Sequence, residues 1–209
     1  MFIMRNFIFL AIALILGVVF NAGTCTPDAF DEGVEINGVT WATRNVGAPG
    51  KFVASPADAG MFYQWNNKKG FSATGNVTGW STTPAASPTW ETKNDPCPRG
   101  WRVPTKEELE SLLDASVTKT YGESSGVKGV YIGTAPDQIF LPAAGRREGP
   151  LASDVYSVGE WAHYWSSTLS SFYSENSHYL YSHVVDPTYI DESDEGILTF
   201  GFSISIFFR

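Results

Sequence analysis

The chain has 209 residues, and its 22 Asp and Glu outnumber its 14 Lys and Arg, which gives a net charge of −8 at neutral pH. A chain this acidic has no basic footprint for nucleic acid or for an anionic membrane surface, so we exclude both as partners. Its length suits one domain, and its seven Trp and 14% aromatic share supply ample material for a core.

The N-terminus has the pattern of an export signal. Arg5 precedes an apolar run over residues 7–20, which is too short to span a ~30 Å hydrocarbon core comfortably. The run is apolar on every side and is followed at once by polar, Pro-containing sequence, which favours a signal over a buried core helix. We therefore predict a signal peptide over residues 1–24 and an exported mature chain.

Cys25 stands where a bacterial lipoprotein would carry its lipid. The small residues 22–24 before it resemble a loosely written lipobox, and the acidic stretch after it is similar to the surface-export signals of Bacteroidetes lipoproteins. If Cys25 is lipidated, we expect an outer-membrane or cell-surface lipoprotein that contacts the membrane only through this lipid anchor. If Cys25 is instead an ordinary residue near the cleavage site, the protein is periplasmic or secreted, and a bridge from Cys25 to Cys97 becomes available.

Local patterns predict a tether, a hairpin and a helix in the first third of the domain. Residues 25–33 are rich in Pro, Gly and acids without an apolar period, which indicates a short tether. Asn37-Gly38 between two β-prone runs predicts a hairpin turn. Ser55 followed by Pro56 predicts the N-cap and first turn of a helix. The apolar face of that helix would hold Met61, Phe62 and Trp65.

A long polar stretch over residues 66–94 is rich in Gly, Asn, Ser and Thr, and it contains Trp80 and Trp90. Loops of this length inside compact domains are usually functional or disordered. An exposed indole there would offer a stacking platform for a sugar ring or a partner protein. Trp80 and Trp90 are therefore the candidate ligand-binding residues.

A capping box and then a series of short strands follow. Thr105 and Glu108 have the capping-box spacing, with the apolar Leu109, Leu112 and Leu113 behind them, which predicts a helix. Short β-prone runs then alternate with Gly and Pro, at residues 129–132, 138–141, 164–168, 178–184 and 198–207. In the last run the apolar residues Phe200, Phe202, Ile204, Ile206 and Phe208 alternate with period two, which predicts one buried face.

Five blocks in fixed order carry a family resemblance. They are VTWATRNVG at 39–47, CPRGWRVPTKEEL at 97–109, IFLPAAGRR at 139–147, YWSST at 164–168 and GFSISI at 201–206. In these blocks residues 34–209 resemble the Fibrobacter succinogenes major paralogous domain family. The resemblance implies an α+β, C-type-lectin-like fold related to formylglycine-generating enzymes. In that fold two helices pack on a small curved antiparallel sheet with long loops, and the chain termini pair as neighbouring strands. The predicted helices and long loops disfavour the alternative, an immunoglobulin-like sandwich.

The same resemblance argues against an enzyme. Formylglycine-generating enzymes hold copper with a pair of nearby cysteines, whereas this chain has only Cys97 in that part of its sequence. Many relatives carry a second cysteine in the block that reads GFSISI here, and this chain has none. Cys97 also lies between Pro96 and Pro98 on a stiff extended segment, a setting that does not activate a thiol. We therefore predict a packing role for Cys97 and no catalytic residues.

The remaining polar residues give no metal or cofactor motif. The acids at 186–195 lack the regular spacing of a calcium loop, so a solvated acidic loop is the preferred interpretation. His163, His178 and His183 have no metal-ligand spacing and are interpreted as structural. We therefore predict a non-catalytic, secreted or surface-anchored module without cofactor or metal that binds a glycan or protein ligand. The alternative is a structural component of a cell-surface or adhesin assembly.

Overall fold

A computed structural model describes residues 31–149, 154–184, 189–204 and 207–208, and for residues 194, 195, 207 and 208 it describes the backbone alone. The predicted signal peptide and Cys25 lie outside these residues. Asp31, at the end of the predicted tether, is only 4% exposed. Its carboxylate accepts hydrogen bonds from Gly33 N (2.9 Å) and Thr43 N (3.0 Å) and pairs with Arg44 (3.3 Å). The folded domain therefore includes residues 31–33.

Strands dominate the described part of the chain. They are β1 (Val34–Ile36), β2 (Val39–Trp41), β3 (Phe62–Gln64), β4 (Gly70–Phe71), β5 (Trp101–Arg102), β6 (Lys119–Ser124), β7 (Val127–Thr134), β8 (Asp137–Pro142), β9 (Arg146–Arg147), β10 (Val155–Tyr156), β11 (Trp161–Leu169), β12 (Asn176–His183), β13 (Ile190–Ile197), β14 (Gly201–Phe202) and β15 (Phe207–Phe208). The helical elements are α1 (Lys106–Ser111) and a 3-10 helix (Thr92–Asn94).

The strands form four antiparallel sheets. Their orders are β1-β2-β15-β5, β10-β9-β14-β3-β4, β11-β12-β13 and β6-β7-β8. The predicted α+β architecture, with two helices packed on one curved sheet, is therefore wrong, because the described residues contain one short α-helix among several sheets. None of the helices in the described ranges is long and apolar enough to cross a membrane.

The predicted helix after Ser55 is a turn followed by a strand. Asp58 N donates to Ser55 O (3.0 Å), and Ser55 N donates to the Asp58 carboxylate (3.0 Å), so the capping residues close a tight turn. Gly60 then adopts a φ of +75°, and a Cβ there would lie 2.3 Å from the carbonyl oxygen of Val46. The chain continues as β3, whose three residues are all buried. The predicted helix is therefore wrong: Phe62 lies within the buried strand β3, and Met61 and Trp65 flank it.

Two local predictions are confirmed. Asn37 and Gly38 have φ values of 50° and 77° and connect β1 to β2, as a two-residue hairpin turn requires. At the start of α1, Glu108 N donates to Thr105 Oγ1 (3.4 Å), and Thr105 N donates to the Glu108 carboxylate (2.7 Å). Two backbone donors at the helix start are therefore satisfied by the capping box.

Two apolar clusters form the core on either side of β11. The first joins α1 to the β6–β8 sheet and includes Leu109, Ile132, Tyr164 and Leu180. The second joins β3, β11 and the C-terminal segment and includes Tyr63, Trp65, Trp165, Phe202 and Ile204. Because successive side chains of a strand point to opposite faces, β11 contributes Tyr164 to one cluster and Trp165 to the other.

The C-terminal segment crosses between two sheets. The run predicted as one strand over 198–207 is divided into β14, which lies between β9 and β3, and β15, which lies between β2 and β5. Between them Ser203 O accepts from Trp165 N and Ile204 O accepts from Val46 N, both at 3.3 Å. Phe202 (1% exposed) and Ile204 (0%) are buried as predicted, but Ser203 between them is also buried and Phe200 is half-buried, so the segment is not buried on one face alone. Ile206 and the side chain of Phe208 lie outside the described residues. β15 pairs with β2 of the N-terminal hairpin.

Deletion of residues 198–209 should abolish cooperative folding. Leu198, Phe202 and Ile204 are each at most 2% exposed, and burial of such a side chain contributes about 1.5–3 kcal/mol. Three of them rival the ~5–15 kcal/mol net stability of a domain, before the lost strand pairing of β14 and β15 is counted. Thermal unfolding followed by circular dichroism should show no transition for the truncated chain. A soluble truncated chain with a sharp transition would contradict the assignment of this segment to the core.

Candidate functional site

Antiparallel register places the odd-numbered aromatic residues of β11 and β12 on one face of the β11–β13 sheet. Trp161 lies opposite His183, His163 opposite Tyr181, and Trp165 opposite Tyr179. Residues directly opposite one another share a face of an antiparallel pair. Together with Tyr189, which precedes β13, these residues form what we call the aromatic stripe: Trp161, His163, Trp165, Tyr179, Tyr181, His183 and Tyr189.

The inner end of the stripe is anchored in the second core cluster. The Trp165 indole is fully buried and stacks on Phe202, with ring centroids 4.1 Å apart. Trp165 Nε1 donates to the carbonyl oxygen of Tyr63 (2.7 Å), so the buried indole leaves no polar group unsatisfied. The rings of His163 and Tyr179 lie 5.1 Å and 5.0 Å from Phe202. This end of the stripe is therefore part of the core.

The outer end of the stripe opens to solvent. The half-buried Trp161 indole lies 4.5 Å from the His183 ring, 6.0 Å from the Tyr181 ring and 6.2 Å from the Tyr189 ring, which it meets edge-on. Tyr189 is 54% exposed. The ring contacts fix the orientation of these side chains and leave part of each ring accessible. Such a surface can stack against the apolar face of a sugar ring or against an aromatic group of a partner.

His163 is a neutral packing residue within the stripe. It is 5% exposed, and its Nε2 lies 3.5 Å from Nη1 of Arg146. Burial, helped by the positive charge of Arg146, lowers the pKa of His163 from 6.5 to about 3. Arg146 is itself paired with Glu148 at 2.7 Å. The imidazole is therefore uncharged at neutral pH and serves as a ring in the stack.

Both predicted ligand-binding indoles are half-buried and pack against the domain. The Trp80 ring lies 4.8 Å from Phe71, and a Cβ on Gly201 would lie 2.6 Å from the Trp80 indole, so this close approach requires glycine. The Trp90 ring meets Trp65 edge-on at 5.4 Å, and its Nε1 donates to Asn94 O (3.3 Å). The binding role of Trp80 and Trp90 stays a prediction, whereas their packing role is plain from these contacts.

Two buried polar side chains hold the long loop that carries these indoles. Arg147 is fully buried and donates to the carbonyl oxygens of Ser72 (2.8 Å) and Gly75. The Gln64 amide donates to Ser81 O (2.7 Å) and accepts from Ser81 N (3.0 Å). The stretch over residues 66–94 is therefore fastened to β3 and β9 through its own backbone.

The acidic stretch predicted as a solvated loop includes a strand. Residues 190–197 form β13, in which neighbouring side chains point to opposite faces. Asp191 lies opposite Tyr181 on the stripe face, whereas Glu192 pairs with His178 and lies 3.9 Å from Lys106 on the other face. Asp186 and the side chains of Asp194 and Glu195 lie outside the described residues. Within those residues no three His, Cys, Asp or Glu side chains group as a metal site would require.

Cys97 packs against the core, whereas the histidines lie on two faces of the β11–β13 sheet. Cys97 is half-buried and packs against the second core cluster, and its N–H donates to the Asp95 carboxylate (2.9 Å). His163 and His183 lie on the stripe face of the β11–β13 sheet, and His178 lies on the opposite face. These positions agree with the predicted packing role for Cys97.

The stripe was missed in the sequence although a signal for it exists. Trp161, His163 and Trp165 alternate with period two, and so do Tyr179, Tyr181 and His183. Each run alone suits one face of a strand. The stripe appears only when the register of β11 and β12 brings the two runs together, and that register depends on tertiary contacts.

Comparison with known proteins found no match among family models, curated proteins or solved structures. The resemblance of residues 34–209 to the major paralogous domain family stays a prediction that rests on its five sequence blocks. The geometry of the aromatic stripe is therefore the basis on which a function can be inferred.

The stability of the domain should decrease on acidification in a way that depends on His163. The folded-state pKa of about 3 lies below the ordinary value of 6.5, so between these pH values the unfolded chain binds the extra proton. The contribution of neutral His163 to the free energy of unfolding is thus fully present above pH 6.5. It falls by up to about 1.4 kcal/mol per pH unit as the pH drops towards 3. His163→Phe keeps a ring beside Tyr179 and Phe202 and removes this titration. Urea unfolding between pH 7 and pH 4 should show a shallower decline for the variant, and parallel profiles would contradict the assignment.

Proposed function

We propose that this domain is a non-catalytic binding module that holds a glycan against the outer end of the aromatic stripe. The observation that carries the proposal is the cluster of Trp161, Tyr181, His183 and Tyr189, whose rings lie 4.5–6.2 Å from Trp161 and remain partly or largely exposed. Aromatic rings offer a large rigid contact area with a polar edge, which suits a ligand that has an apolar face and a hydroxyl rim.

Preorganisation supports binding at this site. The stripe is built on strands, and each ring is held by its neighbours, so little side-chain entropy remains to be lost when a ligand arrives. The anchor at Trp165 and Phe202 extends this rigidity into the core. A flexible loop with isolated indoles would lose more entropy for the same contact area.

A second candidate function is that of a structural or adhesin assembly subunit, which would bind a protein instead of a glycan. Phe172 and Tyr173, in the turn between β11 and β12, are 82% and 56% exposed and favour this candidate. Exposed aromatic residues of this size are typical anchors of protein interfaces. This turn lies at the opposite end of β11 from Trp161, so variants can separate the two functions.

Trp161→Ala should weaken glycan binding about tenfold or more, because truncation of a central aromatic anchor commonly costs 1–2 kcal/mol or more and 1.4 kcal/mol corresponds to a factor of ten. The measurement is a screen of the mature chain against a glycan panel, followed by calorimetric titration of the best ligand. Phe172→Ala is the matched control and should bind like the wild type. Loss of binding in Phe172→Ala with full binding in Trp161→Ala would place the ligand at the turn and contradict the proposal.

We also propose that the module is displayed at the cell surface through a lipid on Cys25. The apolar run over residues 7–20 and the small residues before Cys25 support this proposal. A binding module on an anchor would hold its ligand close to the cell.

Metabolic labelling with palmitate tests the anchor directly. Label should enter the wild-type protein and be absent from Cys25→Ser, because only the cysteine thiol accepts the lipid. Cys97→Ser is the control and should be labelled like the wild type. Equal labelling of the Cys25 variant, or no labelling of any form, would exclude this anchor.

A further inference from the structure

We infer that the outer end of the aromatic stripe selects a ligand with a positive charge, namely an amino sugar with a free amine. This inference rests on the proposed glycan-binding function and specifies the ligand class of the same site. Three features carry it: an exposed carboxylate on the stripe face, the electron-rich ring faces beside it, and the pairing of Arg146 and Lys106 with other carboxylates.

The carboxylate belongs to Asp191. Its position opposite Tyr181 in the antiparallel register places it on the face that carries the stripe. The side chain is exposed, and its Oδ1 accepts from Glu192 N at 2.8 Å. Its other carboxylate oxygen accepts no hydrogen bond from the described ranges of the chain. Asp191 therefore presents a charged acceptor beside the rings.

The rings add to the attraction for a cation. The face of an aromatic ring carries negative charge density, and a cation within about 6 Å of a Trp or Tyr ring is attracted to it. Trp161 and Tyr181 lie 6.0 Å apart on the same face as Asp191. An ammonium group that approaches the Asp191 carboxylate thus also approaches the ring of Tyr181. An acidic sugar at the same position would be repelled by both groups.

Two cations on neighbouring elements, Arg146 and Lys106, are already paired with other carboxylates. The Arg146 guanidinium contacts His163, further along the stripe, and Glu148 pairs with it at 2.7 Å. Lys106 pairs with Glu110 and Glu192 on the opposite side of the β11–β13 sheet. Asp191 itself forms no ion pair with a cation in the described part of the chain.

Two ligands that share a backbone and differ in the charge of their amino groups test the inference, with salt, pH and Asp191→Asn separating charge from the added acetyl group. A glucosamine hexamer and an N-acetylglucosamine hexamer share one backbone, and acetylation removes the positive charge of each amine. The wild type should bind the glucosamine hexamer about two- to fivefold more tightly at low salt, because an exposed charge pair contributes about 0.4–1 kcal/mol. The preference should disappear at high salt or at a pH that deprotonates the amine.

Asp191→Asn should remove this preference, so that the variant binds the two hexamers with similar affinity. Asp137→Asn is the matched control, because Asp137 is an exposed carboxylate in a separate pocket beside Glu35 and Ser116. Equal binding of both hexamers by the wild type, or an unchanged preference in Asp191→Asn, would overturn the charge inference alone. Binding of neither hexamer would overturn it too. Binding of both hexamers that survives Trp161→Ala would instead overturn the proposed stripe site.

Discussion

The stack of the Trp165 indole on the Phe202 ring connects parts of the chain that are far apart in sequence. It joins β11 to β14, and through β14 to the sheet that contains β3 and β9. The indole is fully buried, yet its N–H donates to Tyr63 O at 2.7 Å, so the contact gains apolar burial without a stranded donor. Replacement of either ring would leave a cavity where two sheets meet, which is among the costlier core defects.

The same strand serves two purposes because its side chains alternate. Tyr164 points into the cluster with Leu109 and Leu180, while Trp161 and Trp165 point to the stripe face. A shift of register by one residue between β11 and β12 would exchange the two faces and place polar groups in the core. The core on one face therefore fixes the register that assembles the stripe on the other. Stability and the candidate site depend on the same pairing.

Features encoded by adjacent residues could be predicted from the sequence. The turn at Asn37-Gly38 and the capping box of Thr105 and Glu108 are defined by local backbone geometry and local hydrogen bonds, and both are confirmed. The segment after Ser55 has the same kind of local signal, yet its capping residues close a turn because β3 is buried on all sides by distant parts of the chain. Tertiary contacts therefore determine the structure of this segment, and the local sequence pattern carries no information about them.

The aromatic stripe and the C-terminal strands also depend on contacts between distant parts of the chain, which the local sequence does not predict. Period-two alternation predicted the burial of Phe202 and Ile204 correctly, but the segment is buried on both faces, and the break between β14 and β15 depends on which sheets lie nearby. Asp191 and Glu192 have low β-propensity, and only the pairing with β12 places them in a strand. The aromatic alternation of β11 and that of β12 can each be recognised in the sequence. That the two sets of rings lie on one face follows only from the strand pairing in the folded structure.

The structure shows which acidic side chains are paired with basic side chains and which are not. Several acids are engaged within the fold: Asp31 with Arg44, Glu108 with Arg102, Glu148 with Arg146 and Glu192 with His178. These carboxylates contribute to the long-range field, but each is already partnered by a basic side chain. Asp191 differs because it stands exposed on the stripe face and pairs with no cation in the described part of the chain. A net charge of −8 attracts cations to the whole molecule, whereas the position of Asp191 beside Tyr181 gives that attraction a specific place to act.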